Sequence, residues 1–159
     1  MRMAPGALVV LFHPSEAHVD NLLRLKGLVE DVVAVDNSPV LNVRLHDRIR
    51  NAGIDILPNF NKGGVAGAYN SGLERLIGKM CQILFIFDQD SAVPDDYFTL
   101  MLDACLALDS PQFLIGPKIF DINVNRYLPA HVVRRFGMKP IPITDQKRGL
   151  VSCSSIITS

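Results

Sequence analysis

The sequence predicts an α/β fold in which an open, mainly parallel sheet is flanked by helices. Short apolar runs rich in β-branched residues alternate with segments whose apolar positions recur every three or four residues, the pattern of strands joined by crossover helices. The connections are short and carry Gly, Pro, Asn or Asp, as turns between such elements do. Two of the apolar runs lead into carboxylates, Asp36 and Asp88, and open α/β sheets bind their ligands at the carboxyl ends of the strands.

The first run, "ALVVLF" (Ala7 to Phe12), is continuous and contains Val9 and Val10, as expected of a strand covered on both faces. Beyond "HPSE", Val19, Leu22, Leu23, Lys26 and Val29 recur at helical spacing. They predict a helix from Ala17 to Gly27 with Ser15 as its N-cap and Gly27 as its stop. "DVVAVD" (Asp31 to Asp36) is the second strand and runs into the turn residues Asn37-Ser38-Pro39. A short helix through Leu45 and Ile49 closes at Asn51 to Gly53, and Ile54 to Pro58 is the third strand. "NFNKGGVAGAYNSGLERLIGK" passes from a polar, glycine-bearing loop into a helix, and "QILFIF" (Gln82 to Phe87) reads as a fourth, buried strand. Pro94 then opens a helix with Tyr97, Met101, Ala104 and Leu108 on one face. "FLIGPKIF" is a fifth strand interrupted at Gly116-Pro117. After Asp121 the helical periodicity fades and prolines scatter, which predicts loops and antiparallel strands. The expected organisation is one α/β region over 1–120 and the start of a second over 121–159. A chain that stops in an apolar stretch reads as a fold truncated after its first half.

Composition narrows the function classes. Lys plus Arg and Asp plus Glu number 16 each in 159 residues, so no basic field draws in nucleic acid. Cys81, Cys105 and Cys153 are odd in number and far apart, which argues for small core residues in a reducing compartment rather than a disulfide framework or structural zinc. His13, His18, His46 and His131 show no HxxxH spacing, so a zinc site is not expected. No apolar run approaches the roughly 20 residues of a membrane span, and "MRMAPGALVVLF" lacks the features of a signal peptide. The expected location is cytoplasmic.

Three segments carry candidate chemistry. In "FIFDQDSAVP", Asp88 and Asp90 share one side if strand conformation continues through Gln89. Such a pair holds a hard divalent cation that takes further ligands from water and phosphate oxygens. The alternative is one carboxylate capping the next helix and one solvated. Asp36 in "VAVDNS" offers an acceptor to a base N–H or a ribose hydroxyl; its alternative is an Asx-turn. With Asp88 and Asp90 it makes three carboxylates expected to converge on one edge of the sheet. In "NKGGVAGAYNSGL", Gly63 and Gly64 permit close backbone approach at a loop-to-helix junction. Neither GK[ST] nor GxGxxG is present, so a P-loop and nicotinamide chemistry are not expected.

Together, "VVAVDNSP", "NKGGVAGAYNSGL" and "FIFDQDSAVP", in this order and at these separations, resemble the nucleotide-sugar-binding half of family-2 glycosyltransferases of the GT-A fold. The DQDS form is most similar to the bacterial rhamnosyltransferase branch, which builds O-antigen and other cell-surface polysaccharides. The resemblance covers Ala7 to Lys118, with a weaker match at "LVSCSSIITS". It implies that Asp36 contacts a pyrimidine base, that Asp88 lies at the ribose and base side, and that Asp90 ligates a Mg²⁺ or Mn²⁺ bridging the diphosphate. It further implies that Asn61, Gly64 and Asn70 wall the nucleotide pocket, with the backbone at Phe12 and Pro14 under the base. The implied partners are a nucleotide-diphosphate sugar donor, dTDP-rhamnose in this branch, and a glycan or lipid-linked acceptor. Peripheral association with the inner face of a membrane belongs to the same expectation, whereas self-association is expected from the sheet edge and apolar surface that a truncated fold leaves uncovered.

Family-2 enzymes invert the anomeric carbon with an Asp or Glu general base from the acceptor half, and no downstream carboxylate here matches one. The catalytic base is therefore expected beyond Ser159. Two alternatives stay open: a catalytically silent nucleotide-sugar-binding module, and a phosphatase of the haloacid-dehalogenase type. The latter also uses a strand-end D-x-D, as nucleophile and acid/base, but on its first strand rather than its fourth.

Overall fold

The computed structural model describes residues 4–108, 114–117, 120–121, 124–127, 129–134 and 137–141. The chain forms two compact units, Met1–Asp95 and Asp96–Ser159.

In the first unit, β1 (Pro5–Leu11), α1 (Glu16–Leu28), β2 (Asp31–Asp36), α2 (Val43–Asn51), β3 (Asp55–Pro58), α3 (Gly64–Gly78) and β4 (Ile83–Asp88) alternate along the chain. The sheet order is β3-β2-β1-β4, and every pairing is parallel. This is the α/β architecture that the alternation predicts. Because parallel crossovers are right-handed, the two steps from β1 to β3 put α1 and α2 on one face. The return past β1 to β4 puts α3 on the other. The packing agrees: α1 meets α2, while α3 lies on β1 and β2.

Leu8, Val33 and Val35 form a buried cluster with Ala68 and Leu76 of α3 and with Cys81; Val10, Leu57, Tyr69, Leu73 and Leu84 pack against it. Alternation along each strand therefore assigns Val33 and Val35 of β2, and Leu84 with its same-side neighbours Ile86 and Asp88 of β4, to the α3 face. The α3 helix comes this close because Gly72 has no side chain: a Cβ there would lie 2.2 Å from Leu8 Cδ1.

Several boundaries differ from expectation for identifiable reasons. Ser15 caps α1 as predicted, accepting from the His18 backbone N–H while His18 Nδ1 accepts from the Ser15 N–H. Gly27 does not stop the helix, which runs on to Leu28 because Val29, in extended conformation, is its C-cap. Strand β4 is not covered on both faces: Phe85 and Phe87 are buried but Ile86 is 47% exposed, as suits the edge of the four-stranded sheet.

In the second unit, α4 (Tyr97–Leu106) has Asp96 as its N-cap. Pro94 thus stands two residues before that cap, and the buried residues are Phe98 and Cys105, while Tyr97, Met101, Ala104 and Leu108 are half-buried. The fifth strand fails at its centre, since Leu114 to Pro117 lie in no strand; Pro117 has no N–H to give a ladder. Beyond it, β5 (Phe120–Asp121) pairs antiparallel with β6 (Arg126–Tyr127), and β7 (Ala130–Arg134) with β8 (Gly137–Ile141), the antiparallel character that the sequence predicts. Cys81 and Cys105 are free, buried thiols, and burial pushes both pKa values up; Cys153 lies outside the described residues. Among the described residues, no helix is long and apolar enough to cross a membrane.

Candidate functional site at the carboxyl edge of the sheet

The chain leaves β1 in one direction to build β2 and β3 and returns on the other side to build β4. The carboxyl edge beside β1 is therefore the topological switch point at which open α/β sheets bind ligands. Phe12, Asp36, Asn59 and Asp88 follow or end the four strands there.

Asp36 and Asp88 share this edge but not a face. In register, Asp36 stands opposite Leu11 and Asp88 opposite Val10, on either side of β1, so their backbones are about two strand spacings, roughly 10 Å, apart. Asp36 follows Ala34 on the α2 side of β2, while Asp88 follows Ile86 on the α3 side of β4. The Asp36 side chain is fully buried, with Oδ2 2.6 Å from His46 Nε2 of α2. Its Oδ1 accepts from the Ser38 N–H at 2.9 Å. The carboxylates thus share the carboxyl edge as expected, but Asp36 lies on the opposite face from Asp88, and among the described residues no three His, Cys, Asp or Glu side chains come together as a metal-holding group. The Asx-turn is the observed local geometry. Ser38 extends the chain of contacts, its Oγ accepting from the His13 N–H at 2.7 Å.

Strand conformation does not continue through Gln89. Asp88–Ser91 is instead a tight turn, closed by the Ser91 N–H to the Asp88 carbonyl at 3.0 Å and the Asp88 N–H to Ser91 Oγ at 3.2 Å. Gln89 turns its carboxamide onto the end of β1, where the Phe12 N–H donates to Oε1 at 2.9 Å and Nε2 donates to the Phe12 carbonyl at 3.3 Å. From α1, Asn21 Nδ2 donates to the carbonyls of Gln89 and Ser91 at 3.1 and 2.7 Å. The two carboxylates of D-Q-D-S are exposed, and neither forms an ion pair with a described residue. A nearby cation has two candidate ligands here: Mg²⁺ and Mn²⁺ accept one or two carboxylates and complete their shells with water and phosphate oxygens. Tyr69 of α3 faces the same place; burial raises its phenol pKa and the Asp88 carboxylate raises it further, so it stands protonated as a donor.

The third wall is the loop from β3 into α3. Phe60, Asn61, Gly63 and Gly64 all have positive φ, between 51° and 70°, which coils the loop tightly. Asn59 Nδ2 donates to Asn37 Oδ1 at 2.6 Å and to the Lys62 carbonyl at 2.9 Å, and Asn37 Nδ2 donates to Asn61 Oδ1 at 3.2 Å. A Cβ on Gly67 would lie 2.1 Å from the Lys62 carbonyl oxygen, so this glycine lets the loop fold back on its own helix. Asn61 and Asn70 are exposed, Gly64 and Pro14 half-buried, and Phe12 is 48% exposed.

The sequence reading missed His46, Asn21, Asn37, Asn59 and Gln89. His46 had a signal, because it lies beside Leu45 and three residues before Ile49, on the buried stripe of α2. The amides had none, since all but one of the partners named above, the Lys62 carbonyl, lie 22 or more residues away.

No family model matches the chain, and no solved structure matches it. Over 135 residues, covering 84% of this chain, the sequence is 24% identical to the dTDP-rhamnosyl transferase RfbF of Shigella flexneri. This chain is similar to a glycosyltransferase. The match takes in 44% of that relative, so the chain spans less than half its length.

Proposed function

We propose that this chain is the nucleotide-sugar-binding part of a family-2 glycosyltransferase of the rhamnosyltransferase branch, with dTDP-rhamnose as donor. The observation that carries the reading is the Asp88–Ser91 turn at the switch point. Gln89 and Ser91 are spent on holding the turn, which leaves Asp88 and Asp90 exposed for a ligand. The similarity to a dTDP-rhamnosyl transferase supports the donor.

In this reading Asp90 holds Mg²⁺ or Mn²⁺, which when bound neutralises charge on the leaving diphosphate. Asp88 takes the ribose side, and the coiled loop at Asn61 and Gly64, with Asn70 nearly two helical turns on, walls the nucleotide. The Phe12–Pro14 backbone supports the base. Asp36 has no exposed side-chain surface, so it reaches a pyrimidine only if the residues over it move; otherwise it shapes the pocket by fixing Ser38 and, through Ser38, His13. The acceptor is a glycan or lipid-linked glycan at the cytoplasmic face of a membrane, and the inverting general base is not assigned to any described residue.

Nucleotide selectivity tests the proposal. With Mn²⁺ present, calorimetry is expected to rank dTDP and UDP above ADP. Equal affinity for ADP removes the donor site. Trapping by a phosphoryl-mimicking fluoride with no nucleotide selectivity favours a phosphatase instead.

A further inference from the structure

Strand β4 ends at Asp88, one pair short of where β1 ends. The Gln89 side chain occupies the next place in the ladder. A primary amide carries the same acceptor and donor as a peptide group, and here it makes both bonds a strand would make, to the N–H and the carbonyl of Phe12. Asn21 fastens the backbone of the same turn to α1 through two carbonyls. The Phe12 segment and the Asp88–Ser91 turn are thus held together by side-chain amides at the place where main-chain pairing stops.

We infer that Gln89, braced by Asn21, is a positioning residue that couples the base-supporting Phe12–Pro14 segment to the metal-holding Asp88–Asp90 turn, so that nucleotide and divalent cation strengthen each other's binding. The inference rests on the donor-site reading above. Asp88 and Asp90 are exposed on either side of a half-buried Gln89, and an unclamped turn would sample several placements of Asp90 relative to the base segment. A ligand that spans both must then fix them itself, and loses affinity by doing so.

The readout is the ratio of dTDP dissociation constants measured calorimetrically in EDTA and in Mn²⁺. Two neutral hydrogen bonds contribute enough together for about a tenfold effect. Gln89→Leu is expected to reduce the wild-type ratio by about that factor, and to speed hydrogen exchange at the Phe12 amide while leaving exchange in the β1 core unchanged. Asn21→Ala, which acts from α1 on the same turn, should shift the ratio in the same direction by less. A folded Gln89→Leu or Asn21→Ala protein that keeps the full wild-type ratio overturns the coupling while leaving the donor site standing. A wild-type chain whose dTDP affinity ignores Mn²⁺ overturns both. Lost amide protection throughout β1 would assign Gln89 a merely structural role and overturn the inference also.

Discussion

His46→Leu is the most demanding test of the buried edge of the site. It removes the imidazole whose Nε2 lies 2.6 Å from Asp36 Oδ2, with the two side chains 3% and 0% exposed. Among the described residues, the carboxylate then keeps the Ser38 N–H as its hydrogen-bond partner. Leaving a buried acceptor short of a hydrogen-bond partner costs about 1–3 kcal/mol, out of a total stability on the order of 5–15 kcal/mol. With a urea slope of about 1–3 kcal/mol/M, the unfolding midpoint followed by circular dichroism should fall by roughly 1 M. Asp36→Asn, which keeps the shape and an acceptor for Ser38, should fall less. A loss below about 1 kcal/mol for His46→Leu, the range of exposed pairs, would refute the reasoning by showing that water reaches Asp36.

Three further outcomes follow from the geometry. Gly67→Ala drives a Cβ to 2.1 Å from the Lys62 carbonyl oxygen; the loop must shift, so stability should drop by about 1–3 kcal/mol and dTDP affinity with it, both read from one calorimetric series. Gly64→Ala meets no atom within 4 Å but sits at φ +62°, so strain alone should cost about 1 kcal/mol in urea unfolding. Asp55 is bonded to Arg75 at 2.7 Å, and chiefly that bond lowers its pKa below the ordinary 3.8. The pair's contribution, small at such a surface site, is complete above that ordinary value and disappears as pH falls through the lowered one. Asp55→Asn should therefore be less stable than wild type at pH 6 and equal to it once Asp55 is protonated.

What the sequence showed and what it hid divide along physical lines. Strands such as Asp31–Asp36 announce themselves through local composition, and their ends predict an edge rich in carboxylates. Whether Asp36 and Asp88 point to the same side is not a local property. It depends on register across strands, and the two residues end on opposite faces because Asp36 pairs with Leu11 and Asp88 with Val10, adjacent residues of β1 that point to opposite sides. The D-Q-D-S stretch was legible as paired carboxylates at a strand end but not as a turn, because Gln89 leaves the strand for bonds to Phe12, 77 residues away in sequence. Likewise the asparagines at 37, 59 and 61 look like ordinary loop residues until the fold brings them together.

The central claim, a nucleotide diphosphate held through a cation at Asp90, is tested most directly by the affinity for dTDP with and without Mn²⁺ in wild type and in Asp90→Asn. Asp90 is exposed on a turn and in no described ion pair, so the substitution should leave the unfolding midpoint unchanged. The account predicts tighter binding with Mn²⁺ in wild type, by about tenfold or more for a carboxylate–cation–diphosphate bridge, and little or no such gain in Asp90→Asn, with affinity in EDTA the same for both. An equal gain in both proteins, or none in wild type, would contradict it.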